Sequence, residues 1–333
     1  MNPSFDAFRG ATELLASLGS SPPKTVTPLP GGRNNKVWRV ECGGQRFLLK
    51  HYFWSEQDPR DRLGQEWAFL RYLRQIGCRQ APEPLVKDSA IRCALLEFID
   101  GVALEIKDVT EPDVHTATDF FIQMNSQREK DVSLPPVSEA CFSLDAHIAT
   151  MAARVERLQE INPESDIHAA ARDFVEKTIR PLWAKVENGI RSCSSLSRLL
   201  TAEERCLSPS DFGFHNALRQ PNGCLRFLDF EYAGWDDPAK TIIDFCNQPD
   251  RLLSDDLAGI FRESVIAAFP NPETLASRIL LLEPLYQLKW AGICLNNFLP
   301  GRTFTDSGPD RSPEAQLARA RTMAERAAGR RGN

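Results

Sequence analysis

The stretch LSPSDFGFHNALRQPNGCLRFLDFEYAGWDDPAKTIIDF, residues Leu207 to Phe245, decides the fold. It places a carboxylate at Asp211, a carboxamide at Asn216 and a second carboxylate at Asp229. The intervening Pro-Asn-Gly is strong turn chemistry, and the apolar run after it suits a strand. The stretch therefore predicts a hairpin that holds oxygen ligands, and such ligands suit a hard cation such as Mg²⁺.

This arrangement resembles the catalytic-loop and metal-loop pair of protein-kinase-like phosphotransferases. Asp229 opens the sequence Asp-Phe-Glu-Tyr, and the chain continues with Gly234, Pro238 and Asp244. This fuller pattern is similar to the aminoglycoside phosphotransferase and choline/ethanolamine kinase families. The resemblance implies that Asp211 is the catalytic base or the residue that orients the acceptor hydroxyl. It also implies that Asn216 and Asp229 hold Mg²⁺.

One position departs from that pattern. The families usually carry a histidine two residues before the catalytic aspartate, where this chain has Pro209. The usual histidine braces the loop, so its loss puts the loop geometry in question more than the chemistry. His215 could partly replace it, or it could face the acceptor or solvent. Any one aspartate near a turn is ordinarily a cap or turn former, and only the three ligand-type residues together favour a site.

Composition limits the class of protein. The chain has 333 residues, of which 42% are hydrophobic, so it can bury a large core. A formal charge of −5 and a pI near 5.7 argue against a nucleic-acid partner. The nine cysteines are scattered without metal-ligand spacing, which favours reduced thiols in a cytoplasmic protein. Neither a signal peptide nor a membrane span is expected.

The sequence pattern of the N-terminal part resembles that of a nucleotide-binding lobe. Phe5, Phe8, Leu15 and Leu18 fall near helical spacing and predict a packed amphipathic helix. Strand-like segments follow, with a loop that carries Gly31, Gly32 and Asn35 between two of them. Glycine lets backbone N–H groups approach a phosphate closely. A glycine pair alone would be a plain turn, but here it resembles the families' phosphate loop.

Lys50 ends an apolar run, where a lysine needs a partner. In a kinase-like fold, a strand lysine bridges the nucleotide phosphates and is held by a helix glutamate. Glu66 lies on the same helical stripe as Leu63, Leu70 and Leu73, and a charge among core positions must be paired. We therefore expect Lys50 to pair with Glu66. The alternative is an edge-strand lysine and a glutamate at the wet margin of the stripe.

A boundary between two lobes is expected near residue 100. The strand that ends at Glu97 to Ile99 resembles the families' hinge, whose backbone binds the adenine edge, so Glu97 and Ile99 are candidate nucleotide contacts. Strand texture stops there and does not return until the 220s. The expected lobes are residues 1–100, which bind nucleotide, and residues 101–333, which carry the catalytic and acceptor groups. ATP is the expected nucleotide, with GTP possible.

The sequence pattern predicts that the C-terminal part is mostly helical. Leu144, Ile148, Met151, Val155 and Leu158 predict a helix with Ser143 as its N-cap. Later helices are expected to bend or divide at Pro181 and to break at Pro284, and the arginine-rich end is expected to be a solvated, fraying helix. The fold class is α+β: a bilobal protein-kinase-like fold with a small β-rich lobe containing one main helix and a larger, mostly helical lobe.

The acceptor is expected to be a hydroxyl of a small molecule. Aromatic and carboxylate side chains could hold an ammonium group, although aromatics at helical spacing are more often core. The sequence Asp-Phe-Glu-Tyr resembles that of choline kinases and slightly favours an amino alcohol as the acceptor. A sugar or an aminoglycoside is the alternative. The candidate acceptor contacts are His215, Glu231, Trp235, Asp236, Tyr286 and Trp290.

The sequence thus predicts an ATP- and Mg²⁺-dependent kinase that transfers the γ-phosphoryl group directly to its acceptor. A serine hydrolase or a zinc enzyme is poorly supported, because no nucleophile elbow and no histidine pair with metal spacing occur. The alternative is a pseudokinase that kept the fold as a nucleotide-binding or scaffolding module. The oligomeric state is not encoded in these patterns.

Overall fold

The structure, a computed structural model, describes residues 5–30, 35–127, 134–193, 198–249, 252–302 and 312–329. The chain forms two compact units. The first holds Met1–Ser138 and Leu207–Trp235, and the second holds Glu139–Cys206 and Asp236–Asn333. The lobe boundary near residue 100 stays a prediction, since these units are defined by compactness alone. The expected mixed α+β class is confirmed.

The first unit is built on an antiparallel sheet of five strands in the order β1-β2-β3-β5-β4. The strands are β1 (Thr25–Pro28), β2 (Lys36–Cys42), β3 (Gln45–His51), β4 (Pro84–Asp88) and β5 (Cys93–Glu97). Gly43 and Gly44 join β2 to β3 with φ angles of 57° and 79°, a left-handed conformation that favours glycine. The sheet therefore presents β3 centrally, with β2 and β5 on either side.

Helix α1 (Ala7–Ser17) packs on this sheet through small residues as well as leucines. It buries Gly10, Ala11, Leu14 and Leu15. The predicted stripe was partly wrong, because Phe8 and Leu18 are exposed. The small side chains let the helix approach the strands closely, and a search for large apolar residues overlooks them.

Helix α2 (Arg62–Gln75) begins at the N-cap Asp61, whose carboxylate accepts the N–H of Gly64. It buries the predicted stripe of Leu63, Leu70 and Leu73, and Glu66 lies on the same face. The periodicity argument for this helix is therefore confirmed. A carboxylate is thereby carried into a buried position, where it requires a partner.

The rest of the first unit carries short strands around helix α3 (Glu111–Asn125). Strands β6 (Val102–Ala103), β8 (Ala217–Arg219) and β9 (Leu225–Phe227) form an antiparallel sheet in the order β6-β8-β9. The predicted hairpin between β8 and β9 is confirmed, and Gly223 in its turn has a φ of 84°. The expectation of no strand between residue 100 and the 220s was wrong, because strands of two or three residues leave no periodicity.

The chain passes between the units within β7 (Cys206–Ser208) and β10 (Gly234–Asp236). Trp235 pairs its backbone with the segment 135–137, donating to Pro135 and accepting from Val137. A Cβ on Gly234 would lie 2.1 Å from the carbonyl oxygen of Pro135. Glycine is therefore required here by the close approach of two backbones.

The second unit is helical in its described parts. Its helices are α4 (Leu144–Arg157), α5 (Asp166–Phe174), α6 (Arg180–Arg191), α7 (Pro238–Cys246), α8 (Asp255–Ala268), α9 (Pro272–Leu295) and α10 (Pro313–Ala327). Ser143 caps α4 as predicted, its hydroxyl accepting the N–H of Ala146. None of the helices in the described ranges is long and apolar enough to span a membrane.

Pro284 and the last helix depart from expectation. A π-helical segment, Val175–Ile179, joins α5 to α6 just before Pro181, so the helix is not divided there, and the alternative expectation of a bend stays a prediction. Helix α9 runs through Pro284 without a break. Pro284 has no N–H to donate to the backbone carbonyl of Leu280, one helical turn earlier. Leu280 is exposed, so water can bond to that carbonyl instead. Helix α10 is not a solvated end, because it buries Leu317 and Met323 and packs against α9.

The nine cysteines, all of which lie in the described ranges, form no disulfide bond there. All of them are buried except Cys193, which is partly buried, and Cys224, which is exposed. Burial raises the pKa of Cys93 and of Cys246 to about 12 each. These two thiols are therefore core side chains and poor nucleophiles at neutral pH.

Candidate active site

Lys50 lies on the central strand β3 and is almost fully buried. Its Nζ atom donates to Oε2 of Glu66 at 2.6 Å and to Oδ1 of Asp229 at 2.6 Å. Burial alone would lower the pKa of Lys50, but the charges of Asp229 and Glu66 outweigh it and raise the pKa above its usual value. The predicted ion pair with Glu66 is confirmed, and Asp229 is a second partner.

Glu66 connects α2 to the segment that follows the hairpin. One carboxylate oxygen accepts from Lys50, and the other accepts from the backbone N–H of Phe230 at 3.0 Å. Both oxygens of this buried side chain are therefore used. Removing one member of a buried pair of this kind costs about 3–5 kcal/mol, because the remaining charge stays unpaired. The pair thus fixes Lys50 in position.

The hairpin brings the predicted ligand residues to one end. A 3-10 turn, Phe214–Asn216, precedes β8, and the carbonyl of Asn216 accepts from the N–H of Leu228 at 2.8 Å. Asp229 follows Leu228 directly with a φ of 66°, and its side chain is 39% exposed. A left-handed aspartate is an uncommon backbone state, which the surrounding contacts must maintain. Asp229 thereby keeps exposed carboxylate surface beside Lys50.

Asp211 and Asn216 are joined within the same loop. The Nδ2 atom of Asn216 donates to the carbonyl of Asp211 at 2.9 Å. This bond leaves the Oδ1 atom of Asn216 as its ligand atom. The carboxylate of Asp211 is 46% exposed, and its Oδ1 lies 3.1 Å from Nε2 of His215. His215 is therefore placed against Asp211.

The loop before Asp211 is braced by residues that the sequence did not single out. The carboxamide of Asn125 binds both the N–H and the C=O of Leu207, at 2.8 and 3.0 Å. The hydroxyl of the buried Ser208 accepts from the N–H of Ser210, which has a φ of 70°. Pro209 itself is buried. These contacts hold the loop where the families' usual histidine is missing. The sequence around Asn125 carries no signal of this role.

Glu231 and Asn35 bind each other. Nδ2 of Asn35 donates to Oε2 of Glu231 at 2.5 Å, and Oδ1 of Asn35 accepts from the N–H of Phe53 at 3.0 Å. Arg62 lies 3.5 Å from the same carboxylate and also donates to the hydroxyl of Tyr232 at 3.1 Å. Burial and the nearby Asp229 raise the pKa of Glu231. Both residues were candidate ligand contacts, and the structure shows them anchoring one another.

The other candidate nucleotide contacts are Gly31, Gly32, Glu97 and Ile99. Gly31 and Gly32 lie outside the described residues. The side chain of Glu97 accepts from Arg226 at 2.7 Å and from the N–H of Glu83 at 3.0 Å. Ile99 is buried just beyond β5. Contacts between this backbone and a nucleotide base stay predictions.

The candidate acceptor residues are dispersed. Trp235 is partly buried and belongs to the first unit, while Asp236, Tyr286 and Trp290 belong to the second. Asp236 is fully buried and forms an ion pair with Lys240. Tyr286 is 2% exposed, and its hydroxyl is 2.5 Å from Nδ1 of His147. Neither side chain has surface to offer a ligand as it stands, and we do not carry them into the proposal below.

The donor set limits the kind of cation that can bind. No group of three or more His, Cys, Asp or Glu side chains suited to a metal occurs among the residues described. Asp229 and Asn216 instead supply one carboxylate and one carboxamide oxygen. That set suits a hard cation that completes its shell with phosphate oxygens and water.

Comparisons with known proteins show the family and the fold of this chain. The sequence model of the phosphotransferase enzyme family matches residues 25–278. No curated protein sequence matches the chain significantly. Among solved structures, a spectinomycin phosphotransferase in complex with ADP and spectinomycin has a TM-score of 0.65 at 12% identity, covering 98% of this chain and 99% of its own.

Two bacterial structures are similar to a comparable degree. A choline/ethanolamine kinase family protein from Mesorhizobium loti has a TM-score of 0.62 at 16% identity, with 96% of this chain and 94% of its own covered. Choline kinase LicA from Streptococcus pneumoniae has a TM-score of 0.61 at 14% identity, with 94% and 96% covered. Identities this low establish the fold alone. The match of the family's sequence model over more than half of the 333 residues goes further: this chain belongs to the phosphotransferase enzyme family.

Proposed function

We propose that this phosphotransferase moves the γ-phosphoryl group of Mg-ATP to a hydroxyl group of a small molecule. The observation that carries the proposal is the position of Lys50, which is buried and bound at 2.6 Å to both Glu66 and Asp229. A strand lysine held by a helix glutamate and placed beside a carboxylate is the arrangement that positions nucleotide phosphates in kinase-like enzymes.

Nucleotide binding is supported by two similar structures. The spectinomycin phosphotransferase was solved with ADP, and LicA was solved with AMP. In this chain, the ammonium of Lys50 would contact phosphate oxygens, and the backbone at Glu97 and Ile99 would contact the base. Asn35, the last residue of the predicted phosphate loop, would be fixed in place by its bond to Glu231.

The residues present fit Mg²⁺. Asp229 retains exposed carboxylate surface, and Asn216 retains its Oδ1 atom. These two oxygens leave the rest of an octahedral shell to phosphate and water, as Mg²⁺ prefers. When bound, Mg²⁺ would neutralise negative charge on the phosphates.

Asp211 is the group suited to the acceptor hydroxyl. Its carboxylate is exposed, while its backbone carbonyl is fixed by Asn216. The acceptor oxygen attacks the γ-phosphorus, the bond from that phosphorus to the bridging oxygen breaks, and ADP leaves. Asp211 orients the hydroxyl and accepts its proton as the new bond forms.

The test is ADP release from Mg-ATP against a panel of hydroxyl acceptors: choline, ethanolamine, neutral sugars and polyols, and aminoglycosides. The Asp211→Asn variant serves as the blank. We expect at least one acceptor to raise ADP release above that blank. A preparation that failed to bind Mg-ATP at all would contradict the proposal. Binding of Mg-ATP without transfer to any member of the panel would favour an acceptor outside the panel or a nucleotide-binding module.

Glu231 offers a separate test of the phosphate loop. We expect Glu231→Ala to weaken Mg-ATP binding about tenfold, because the amide of Asn35 loses a charge-assisted hydrogen bond. Titration calorimetry with Mg-ATP measures this change. Glu231→Gln is the matched control, since it keeps an acceptor oxygen for Asn35 and should bind more tightly than the alanine variant. If Glu231 contacts the acceptor instead, the KM for the acceptor will rise while nucleotide affinity stays unchanged.

A further inference from the structure

Arg62 is a buried cation in a position that costs free energy. It is the first residue of α2, and its side chain is 1% exposed. A buried guanidinium loses its hydration, and a positive charge in the first turn of a helix opposes the helix dipole. Neither burial nor the place in the helix favours an arginine here, so its partners must account for its presence.

Four segments of the first unit meet in a closed ring of contacts at Arg62. The guanidinium donates to the carbonyl of Phe53 at 2.9 Å, and its Nε atom lies 3.5 Å from Oε2 of Glu231. Asn35 completes the ring, because its carboxamide donates to the same Oε2 atom at 2.5 Å and accepts from the N–H of Phe53 at 3.0 Å. We call these four residues the arginine ring. It connects the end of the predicted phosphate loop, the segment after β3, helix α2 and the segment after Asp229.

Further contacts fix the guanidinium within the arginine ring. Nη2 of Arg62 donates to Asp58 at 2.5 Å, and Nε donates to the hydroxyl of Tyr232 at 3.1 Å. The guanidinium carbon lies 5.1 Å from the ring centroid of Phe53 and 5.5 Å from that of Tyr232. All three nitrogens of the side chain therefore have partners. Only the planar fork of an arginine can serve partners in these several directions at once.

Helix α2 contacts the segment after Asp229 at two successive turns. Arg62 contacts Glu231, and Glu66, four residues later on the helix, accepts from the N–H of Phe230 at 3.0 Å. Asp229 itself has a left-handed backbone, which its surroundings must maintain. The arginine ring therefore connects the phosphate loop to the helix and the segment that hold the buried site lysine.

We propose that Arg62 is a positioning residue for the nucleotide phosphates: by closing the arginine ring, it holds Asn35 and the segment after Asp229 in the arrangement that binds Mg-ATP. The inference rests on the proposed kinase function and deepens it. Arg62 acts through Asn35 and Glu231 and not by contact with the nucleotide. Its removal therefore weakens the contacts with the phosphates and spares the contacts with the base.

Replacement of Arg62 by methionine tests this role. Methionine keeps an unbranched side chain but has no donor for Phe53 or Glu231. We expect Arg62→Met to weaken the binding of Mg-ATP and of Mg-tripolyphosphate by the same factor, about tenfold, because both ligands carry the phosphates. Adenosine, which carries only the base and the ribose, should bind as it does to the parent. Calorimetric titrations measure the first two affinities, and ligand-detected NMR measures the third.

Arg60 supplies the matched control. It donates to the same Asp58 carboxylate at 2.5 Å and lies 4.8 Å from the centroid of the same Tyr232 ring, but it is 43% exposed and is not a member of the arginine ring. Arg60→Met should bind all three ligands like the parent. If Arg62→Met lost affinity for adenosine by the same factor as for Mg-ATP, its role would be general support of the fold, and the proposal would be overturned.

A double variant distinguishes one shared ring from two independent losses. Arg62→Met and Glu231→Ala open the same ring, so the double variant should bind Mg-ATP about tenfold more weakly than the parent, as each single variant does. Losses that multiply to about a hundredfold would show independent effects and overturn the proposal. If Arg62→Met does not fold, Arg62→Lys keeps the positive charge without the planar fork and should show the same loss for the phosphate ligands alone.

Failure of this inference and failure of the proposed function give different results. If the parent binds Mg-ATP and Arg62→Met binds it equally well, Arg62 has no positioning role and the kinase function stands. If the parent binds neither Mg-ATP nor Mg-tripolyphosphate, the proposed function and the role of Arg62 are both overturned.

Discussion

Replacing Asp211 by asparagine is expected to lower kcat by about 10²–10⁴-fold and to leave Mg-ATP affinity nearly unchanged. Asparagine keeps the shape of the side chain but cannot accept a proton. The shorter hydrogen bond from Asn216, at 2.9 Å, goes to the backbone carbonyl of Asp211, so the substitution does not remove it. Only the longer one, at 3.5 Å to Oδ2, involves the side chain. Lys50 is bound by Glu66 and Asp229, so the groups that position the phosphates stay in place. Acceptor-dependent ADP release and calorimetric titration with Mg-ATP separate the two effects.

Asp119 supplies a matched control for this substitution. It is an exposed aspartate on α3, in the same compact unit. Asp119→Asn makes the same chemical change at the surface and should turn over like the parent. If Asp211→Asn released ADP as fast as the parent, Asp211 would have no part in the transfer step. A large loss of Mg-ATP affinity in that variant would place it in nucleotide binding instead.

The features predicted from sequence were those encoded locally. A three-residue turn and the apolar run after it predicted the hairpin, and helical spacing predicted that Glu66 lies on the buried face of α2. Lys50 needed a partner because it ends an apolar strand. The pairing of Lys50 with Glu66 was inferred from the rule that two buried opposite charges meet. That inference succeeded because desolvated charges leave few alternatives.

The features that were missed depend on partners far away in the chain. Asn125 binds Leu207 across 82 positions, and Asn35 binds Glu231 across 196. Hydrogen bonds of this kind leave no periodic signal, since a single asparagine is equally at home on a surface. Tyr286 and Trp290 were predicted to contact the acceptor, and that role stays a prediction. The structure shows instead that the ammonium of Lys289 lies 5.0 Å and 5.3 Å from their ring centroids, a contact that the sequence did not predict.

The contact between Lys50 and Asp229 leads to a prediction with a change of sign. Asp229→Asn should abolish the strengthening of ATP binding by Mg²⁺, a loss of about 10–100-fold at saturating metal, because the carboxylate ligand is gone. Without metal, the same variant should bind ATP at least as tightly as the parent. In the parent, Asp229 holds the ammonium of Lys50 at 2.6 Å and repels phosphate, and asparagine removes that negative charge. Calorimetric titrations of ATP with Mg²⁺ and with EDTA give both values.

Asp173→Asn is the control for the loss of an aspartate in an ion pair, because Asp173 pairs with Lys177 on the exposed surface of the second unit. It should bind ATP like the parent with and without Mg²⁺. If Asp229→Asn weakened ATP binding equally in Mg²⁺ and in EDTA, the carboxylate would act by holding Lys50 in place and not by ligating a metal. If the variant kept the full effect of Mg²⁺, the metal would have to be held elsewhere, and the assignment of Asp229 would be wrong. Glu66 is retained in every case, so Lys50 keeps one buried partner, and a gross loss of folding is not expected to confuse these outcomes.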